Sequence, residues 1–406
     1  MASLNELSYW LNEQRRMDRV WYVKRLSAND TLASGSHQAG PYMPKKLLMD
    51  LFPSLQYSGK KNPRVTFELR LDSCHDIRDV TAIWYNNKWH DGGTRDEVRI
   101  TNWGGQHSAL LEPENTGSLV IFSFQRQQGR DVSLCNVWVC DHVTEEDLIE
   151  NLIGVIIPGK HIIRSWDRIC FAEKNKNNSC CLSPENIPED WRNNFPTTID
   201  IFKKVIELIP DIGDTINERL IRRRNCEFEL FRNIEKNIEF SFIQQGFSTI
   251  DAFLETAKKI LQRRKARSGR SLELHLREIF LEEKLKEGLN FSYQPETENG
   301  KRPDFVFPCE NAYKNQHFLS KQLRMLAVKT TCKDRWRQIL NEADRIPVKH
   351  LFTLQEGVSV NQFQEMCESN VRLVVPKPLI NKYPLEIQGH LQTLESFVGD
   401  VRLLSN

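Results

Sequence analysis

The sequence has no apolar stretch that approaches the roughly 20 residues needed to cross a bilayer. It has no apolar signal segment at its beginning, so its ten cysteines are expected to be reduced thiols of a cytoplasmic protein. No Cys or His pair repeats at zinc-ligand spacing, and the adjacent Cys180 and Cys181 do not suit one tetrahedral site. The sequence therefore indicates neither a membrane protein nor a zinc-stabilised fold.

The chain also lacks a strong overall charge. Its net charge of +2 neither indicates nor excludes a nucleic-acid partner, because binding depends on where charge is concentrated. Arginine and lysine are concentrated at 222–224 and at 263–267. Such runs are typical of nucleic-acid contacts and equally of a solvated helix face, and composition does not decide between the two.

A change in residue pattern along the 406 residues predicts two domains, each large enough to bury its own core. In the first part, short apolar runs such as 65–71, 119–124 and 137–139, separated by Gly, Asn and Pro, predict a mostly β barrel or sandwich. After Pro210, helical spacing gives way to alternating strands and helices, which predicts a sheet covered by helices. We place the N-terminal domain, a polar linker and the C-terminal domain at 1–172, 173–198 and 199–406.

The strongest chemical signal lies between residues 303 and 342. Asp304 stands at the entrance of a short apolar strand, and Lys329 ends a second apolar strand. A lysine at that position is costly unless an anionic group lies nearby. Phosphodiester hydrolysis needs carboxylates to hold a divalent cation, and a cation near the attacking water or the phosphate. The two residues therefore predict a metal-dependent nuclease site.

This site needs a second acid. The common nuclease pattern, Pro-Asp followed by Asp/Glu-X-Lys, has a carboxylate two residues before the lysine, where this chain has Ala327. Glu342 lies beside the apolar stripe of a predicted helix at 335–345, and a helix packed over the sheet would bring its carboxylate to the metal. Glu273, at the border of another predicted helix face, is a weaker candidate.

The residues around Lys329 resemble those of one known protein family. The segments 327–337 and 341–343 are similar to the core of the EcoRII restriction endonucleases, and the similarity continues at 24–31, 94–103, 264–276 and 350–359. The resemblance implies a C-terminal restriction-endonuclease-like (PD-(D/E)XK) domain with a central mixed sheet flanked by helices. It also implies an N-terminal, mostly β, DNA-binding pseudobarrel, and hence a two-domain chain of α+β and α/β classes.

The same resemblance implies roles at the catalytic site. The family's swapped Pro-Asp…Lys…Glu site is catalytic, so Asp304 and Glu342 are expected to hold Mg2+ and Lys329 to orient water and offset phosphate charge. Glu273 is expected to support them.

The residues that follow Lys329 are candidates for reading DNA sequence. Lys333, Asp334 and Arg335, called here the reading triplet, offer two cationic donors and one acceptor, which suits base edges in neighbouring G·C pairs. If Lys329 and Glu342 did not flank it, the triplet would be interpreted as an ordinary charged helix start. The resemblance further implies that extruded bases stack near Arg224 and Phe228, although Phe228 also fits the core of an amphipathic helix.

Two basic, polar segments of the N-terminal domain, 24–37 and 88–103, suit contacts with phosphates and base edges. Polar loops on a β domain are often only loops. The resemblance implies that this domain binds a second copy of the recognition site, and the expected contact residues are Lys24, Arg25, Asn29, Asp30, Arg95 and Arg99.

Together these observations predict a Mg2+-dependent nuclease that cuts double-stranded DNA. The resemblance implies a type II endonuclease whose target is a CCWGG-like palindrome, cut before the first C. A palindrome implies a homodimer through the catalytic domains. The resemblance adds an N-terminal domain that covers the cleft until it binds another site, and a companion methyltransferase. A DNA-binding regulator with an inactive nuclease fold and a structure-selective repair nuclease remain as alternatives. The residues do not determine the central base pair.

Overall fold

The computed structural model describes residues 4–35, 40–56, 59–165, 180–210, 213–333 and 335–404. None of the helices in these ranges combines the length and the apolar character that a membrane span requires. The described strands form two separate sheets, one in each half of the chain.

The N-terminal half is built on a seven-stranded sheet with the spatial order β4-β3-β2-β6-β5-β1-β7. Neighbouring strands are antiparallel except β2 and β6, which are parallel. The strands are β1 Arg19–Arg25, β2 Arg64–Leu71, β3 Asp76–Tyr85, β4 Glu97–Thr101, β5 Leu119–Gln125, β6 Leu134–Val139 and β7 His161–Ser165. The helices are α1 Leu4–Gln14, α2 Lys45–Leu51, α3 Asn87–His90 and α4 Val143–Ile153. The prediction of a mostly β domain is confirmed.

Both faces of this sheet are covered, which explains why the central strand β5 is apolar at nearly every position. One face carries Phe67, Phe122 and Phe124 in a cluster with side chains of α2. The other face packs Trp21 and Trp138 against α1 and α4. A strand buried on both faces reads as a continuous apolar run rather than as an alternation.

Between the two halves, the chain is described again from Cys180 onward. There it forms α5, Glu189–Asn193, and α6, Thr198–Leu208. Cys180 and Ile187 are buried, and Cys180 packs in a cluster with side chains of α6 and α7, Ile216–Gln245. This stretch covers the end of the segment predicted as a linker, whose first residues, 173–179, lie outside the described part of the chain.

Cys180 is joined to Cys226 of α7 by a disulfide, with 5.2 Å between their Cα atoms. The expectation that the cysteines are reduced thiols is therefore wrong for this pair. Sequence spacing gave no indication of the pairing, because 46 residues separate the two and only the fold brings them together. The bond attaches the start of the second half of the chain to a long helix.

The C-terminal half contains a six-stranded mixed sheet with the order β13-β12-β11-β10-β9-β8. Strands β10 to β13 run parallel, and β9 and β8 are antiparallel additions. The strands are β8 Ser292–Tyr293, β9 Phe305–Phe307, β10 Arg324–Lys329, β11 Lys349–Thr353, β12 Val371–Val375 and β13 Gln392–Thr393. Its further helices are α8 Ile250–Glu282, α9 Glu310–Lys314, α10 Val360–Glu368, α11 Leu385–Gln388 and α12 Leu394–Leu403. The prediction of a mixed sheet flanked by helices is confirmed.

Alternate side chains of β10 enter different layers. Leu326 and Val328 face α7, α8 and α12, whereas Met325 and Ala327 face α10 and a 3-10 helix over 335–341. Since Lys329 follows in the same alternation, its side chain leaves the strand on the side of the 3-10 helix.

The predicted α-helix at 335–345 is wrong in type and length. The structure has a 3-10 helix that ends at Asn341, so Glu342 lies just beyond it. Trp336 and Ile339 are buried three residues apart, a spacing that a 3-10 helix also places on one face. Ala343 has a φ of 49°, which stops any helix at that point.

The aromatic cluster beneath the catalytic sheet gives a test of the fold. Phe280 of α8 is fully buried, with ring centroids 5.2 Å from Phe305 and 5.4 Å from Phe307. We expect Phe280→Ala to lower the free energy of unfolding by about 3–5 kcal/mol through lost contacts and a cavity. The measurement is urea unfolding followed by circular dichroism.

The adjacent Leu281 serves as a matched control because it is 39% exposed. Leu281→Ala is expected to change the free energy of unfolding by no more than about 0.5 kcal/mol. Equal effects of the two substitutions would contradict the described packing of α8 on the sheet.

Candidate active site and its contact with the N-terminal domain

Asp304 is fixed by the ladder between β9 and β10. It immediately precedes β9, and its Oδ2 accepts the backbone N–H of Val328 at 2.7 Å. The carboxylate thus takes the place of a strand carbonyl and stands next to the residue that precedes Lys329. Burial raises the pKa of Asp304, and Lys329 counteracts that rise. The sequence therefore predicted the neighbourhood of Asp304 and Lys329 correctly.

Glu342, the residue after the 3-10 helix, approaches Asp304 and Lys329 from the layer that this helix forms. Its pKa is raised to about 7, chiefly by burial; Lys329 and Lys349 act to lower it, and Asp304 acts to raise it. These mutual electrostatic effects mean that the structure brings Asp304, Lys329 and Glu342 together, although Glu342 does not ride on the predicted α-helix.

Glu273 approaches from the opposite layer, on α8. Its Oε2 accepts hydrogen bonds from the Tyr293 hydroxyl at 3.0 Å and from Gln294 Nε2 at 2.9 Å. Burial and the nearby Asp304 raise its pKa. The site therefore lies at the carboxyl end of β10, between acids carried by the two layers that cover the sheet.

The carboxylates of the site suit a magnesium ion that takes its other ligands from water and substrate phosphate. In the described part of the chain, no three or more His, Cys, Asp and Glu side chains are grouped so as to hold a metal by themselves. Mg2+ usually takes one or two carboxylates and completes its octahedron with water and substrate phosphate. Asp304 and Glu342 would supply those two carboxylates, and the raised pKa of Glu342 is the property of an acid that an approaching cation would ionise.

Sequence reasoning missed Lys349, which holds the turn that carries Glu342. This buried ammonium donates to the backbone oxygens of Glu342 at 2.5 Å and of Ala343 at 2.8 Å. A lysine two residues before the apolar pair Leu351 and Phe352 was the available signal. Tyr293 and Gln294 were also missed, since nothing in a two-residue strand marks them as partners of Glu273.

The reading triplet meets the N-terminal domain directly. Lys333 Nζ donates to Ser118 Oγ at 2.5 Å and to the backbone oxygens of Cys140 and Asp141 at 3.2 and 3.3 Å. Arg335 lies 3.8 Å from the Asp147 carboxylate of α4. Asp334 lies outside the described residues. Lys333 and Arg335, which were expected to contact base edges, therefore contact groups of the N-terminal domain instead.

Further contacts join the two halves near the same surface. Glu114 accepts hydrogen bonds from Ser359 Oγ at 2.8 Å and from Asn361 Nδ2 at 3.0 Å. Arg264 of α8 donates to the backbone oxygen of Ile153, at 3.4 Å, at the end of α4. These bonds join the N-terminal domain to both layers that cover the catalytic sheet, since Ser359 and Asn361 lie at the start of α10 and Arg264 lies on α8.

The N-terminal domain has a large cleft of its own, with a volume of about 1010 Å3, called here the N-terminal cleft. Its wall contains all six residues that the sequence suggested for DNA contact: Lys24, Arg25, Asn29, Asp30, Arg95 and Arg99. Arg95 is stacked on Tyr85, with its guanidinium carbon 3.7 Å from the ring centroid, and Glu97 accepts from both Arg95 and Arg99.

Arg25 and Asp30 are used within the domain. Arg25 is buried and forms ion pairs with Glu146 and Glu150 at 2.9 and 2.8 Å. Asp30 is buried too, and it accepts from Lys24 Nζ at 2.6 Å and from the backbone of Ser27. The structure therefore places Arg25 and Asp30 as supports of the cleft wall, and leaves Asn29 and Arg99 exposed.

The suggested base-stacking residues are only partly open. Arg224 is buried and donates to Glu227 Oε2 at 2.7 Å, within a network that includes Arg267 and His275. Phe228 is half-buried, and Lys160 of the N-terminal domain lies 5.4 Å from its ring centroid.

The basic clusters at 222–224 and 263–267 are largely occupied as well. Their arginines pair with carboxylates of their own fold, and the described pairs are Arg222 with Asp214, Arg223 with Glu282, Arg263 with Glu239 and Arg264 with Glu235. The interpretation as an open phosphate-binding helix face is not favoured by these contacts.

Comparison with known proteins places this geometry in context. Residues 16–167 match the family model described as restriction endonuclease EcoRII, N-terminal, and residues 231–398 match the model EcoRII C terminal. The chain is 42% identical over 400 residues to the type II restriction enzyme EcoRII of Escherichia coli, covering 97% of this chain and 96% of the relative. The chain belongs to the EcoRII family of restriction enzymes.

Two solved structures with partial similarity were also found. One is metal-depleted Ecl18kI in complex with uncleaved, modified DNA, with a TM-score of 0.44 and 20% identity over 55% of this chain and 85% of that chain. The other is the B3 domain of the UbaLAI restriction endonuclease with cognate DNA, with a TM-score of 0.24 and 18% identity over 39% of this chain and 99% of that chain.

The raised pKa of Glu342 gives a pH prediction. Below about pH 7 this carboxyl holds a proton that a metal ion must displace, so the apparent affinity for Mg2+ is expected to fall about tenfold per pH unit there. Above that pH the affinity becomes constant. The half-saturating Mg2+ concentration for DNA cleavage, measured in single turnover at about pH 6 and about pH 8, tests this.

Glu310→Gln, which removes a carboxylate on α9 of the same domain, is expected to keep the wild-type pH dependence. A half-saturating Mg2+ concentration that does not change between the two pH values would show that Glu342 does not ionise with metal binding.

Proposed function

We propose that this EcoRII-family enzyme is a Mg2+-dependent type II deoxyribonuclease that hydrolyses both strands of DNA at a CCWGG-like palindrome. The observation that carries the proposal is the convergence of Asp304, Lys329 and Glu342 at the carboxyl end of β10. Bound Mg2+ would supply Lewis acidity at the scissile phosphate. A regulator with an inactive nuclease fold is not favoured, because such a protein would have no need to keep these three residues together.

Each residue has a distinct part in this chemistry. Asp304, held by the Val328 N–H, and Glu342, held by the Lys349 contact to its backbone, present carboxylate oxygens for the metal. Lys329 orients the attacking water and offsets charge on the phosphate. Glu273, kept in place by Tyr293 and Gln294, supports the site from α8.

The N-terminal domain acts as an effector and inhibitor in this proposal, and its barrel-like sheet binds a second copy of the site in the N-terminal cleft. The reading triplet supports this, since Lys333 and Arg335 contact the N-terminal domain and must leave it before they can meet base edges. Binding of a second DNA then favours the open arrangement, in which the two halves separate.

The remaining partners follow from a palindromic target. We propose a twofold-symmetric dimer through the catalytic domains, in which each copy cuts one strand. Arg224 and Phe228 receive extruded central bases after Lys160 has withdrawn from the Phe228 ring. A companion methyltransferase protects the host DNA, and the enzyme acts in the cytoplasm.

The first test is cleavage of a plasmid with several CCWGG sites in the presence of Mg2+. We expect discrete fragments from the wild type and at least a hundredfold slower cleavage by Lys329→Ala, because the lysine offsets charge that develops on the phosphate. Gel electrophoresis of time points gives both rates.

A plasmid with only CCSGG sites is the matched DNA control and should stay intact. Cleavage of both plasmids would show that the enzyme also accepts G·C as the central base pair. It would leave the assignment as a nuclease intact. Specific DNA binding without cleavage in any divalent metal would favour the regulator instead.

The arrangement in which the two halves are in contact, called here the closed arrangement, gives a second prediction. Glu114→Ala removes the acceptor of Ser359 and Asn361 and leaves the catalytic residues untouched. Losing these bonds costs the closed state about 1 kcal/mol, so cleavage of a DNA with one site is expected to rise about fivefold. Initial rates on a single-site linear duplex provide the measurement.

Glu112→Ala is the control, since Glu112 is an exposed carboxylate two residues away with no described bond to the catalytic half. It should leave the single-site rate at the wild-type value. The inhibitory role would be refuted by a Glu114→Ala rate that equals that of the wild type.

A further inference from the structure

A short segment of the catalytic domain forms part of the wall of the N-terminal cleft. Gln355, Glu356 and Gly357 follow β11, the strand beside β10. Glu356 and Lys382 both line the cleft, although they belong to the C-terminal half of the chain. DNA that enters the N-terminal cleft therefore meets groups of the domain that it is proposed to regulate.

The contact between this segment and the N-terminal domain is close. The backbone oxygen of Glu356 accepts the N–H of Ala28 at 2.9 Å. At Gly357, with a φ of 111°, an added Cβ would lie 2.6 Å from Ala28 Cβ. A Cβ on Gly159 would lie 3.1 Å from the Glu356 carboxylate. Two glycines thus permit the two domains to approach each other at this point.

Gln355 links the segment to the reading triplet. Its Oε1 accepts the backbone N–H groups of Cys332 at 2.8 Å and of Lys333 at 3.2 Å, and its Nε2 donates to the Gly357 oxygen at 2.9 Å. The side chain is 1% exposed and rests on Gly117 of the N-terminal domain, where an added Cβ would lie 2.5 Å from its Nε2. Hydrogen bonds of one buried side chain therefore connect the 356–357 backbone to the backbone that carries Lys333.

Glu356 is the unusual member of the cleft wall. The residue is half-buried, and the wall of the same cleft also includes Lys24, Arg95 and Arg99. In the part of the chain that the structure describes, no cation lies within ion-pair distance of it. A carboxylate without a cationic partner in a cleft proposed to bind DNA opposes the phosphate backbone, because like charges repel across a short, poorly screened distance.

We propose that Glu356 is the catalytic domain's sensor of effector DNA. A phosphate in the N-terminal cleft repels Glu356, the 355–357 segment leaves the cleft wall, and Gln355 releases Lys333 from its contacts with the N-terminal domain. Glu356 thereby makes effector DNA bind the open arrangement better than the closed one, which is the differential affinity that coupling requires. The inference rests on the proposed role of the N-terminal domain.

The test uses the full-length enzyme and the isosteric variant Glu356→Gln, which keeps the backbone bond to Ala28 and removes the charge. The substrate is a single-site duplex, and the effector is a short CCWGG duplex with hydrolysis-resistant phosphorothioate linkages. The readout is the ratio of cleavage rates with and without effector. We expect this ratio to fall at least about fivefold in the variant.

A second readout is the affinity for the effector duplex, measured by fluorescence anisotropy without Mg2+. We expect the variant to bind the duplex more tightly, because the closed state no longer repels phosphate. Glu386→Gln, which removes an exposed carboxylate on α11, is the control and should keep the wild-type ratio and affinity.

The outcomes separate this inference from the function on which it rests. If the effector duplex does not stimulate even the wild type, the effector role itself fails, and the sensor with it. If the wild type is stimulated and Glu356→Gln shows the same ratio and the same affinity, only the sensor is overturned.

Discussion

The hydrogen bond between the Asp304 carboxylate and the Val328 N–H is the constraint on which the active site depends. A side chain replaces a backbone acceptor beside β10, so the carboxylate is located by the register of the sheet rather than by its own torsions. Lys329 follows one residue later and leaves on the face that the 3-10 helix covers. Glu342 and Glu273 then need only reach this fixed point from the layers above and below. A site placed on strand ends is more rigid than one placed on loops.

Burial at this point has an electrostatic consequence. It raises the pKa values of Asp304, Glu273 and Glu342, and Lys329 lowers all three. Several carboxylates that share one lysine in a half-buried site favour either protons or a divalent cation. The same arrangement therefore favours metal binding and makes it dependent on pH.

The second organising feature is that the surfaces proposed for DNA are occupied by protein. Lys333 bonds to groups of the N-terminal domain, Lys160 lies over Phe228, and Glu356 of the catalytic domain lies in the wall of the N-terminal cleft. Each domain thus covers part of the other's proposed binding surface, in a reciprocal manner. Such mutual occupancy is what the proposed effector role requires, because DNA reaches either surface only after the two domains separate.

The amino-acid sequence by itself predicted a mostly β first half, the mixed sheet with covering helices in the second, and the proximity of Asp304 to Lys329. These follow from local patterns, because strand periodicity and a charge at a strand end are visible within a few residues. Tertiary structure decided the rest. The 3-10 helix before Glu342, the Cys180–Cys226 bond, the burial of Arg25 and the position of Glu356 depend on segments that are distant in sequence. Burial and partners arise only when the chain is packed, so no local pattern encodes them.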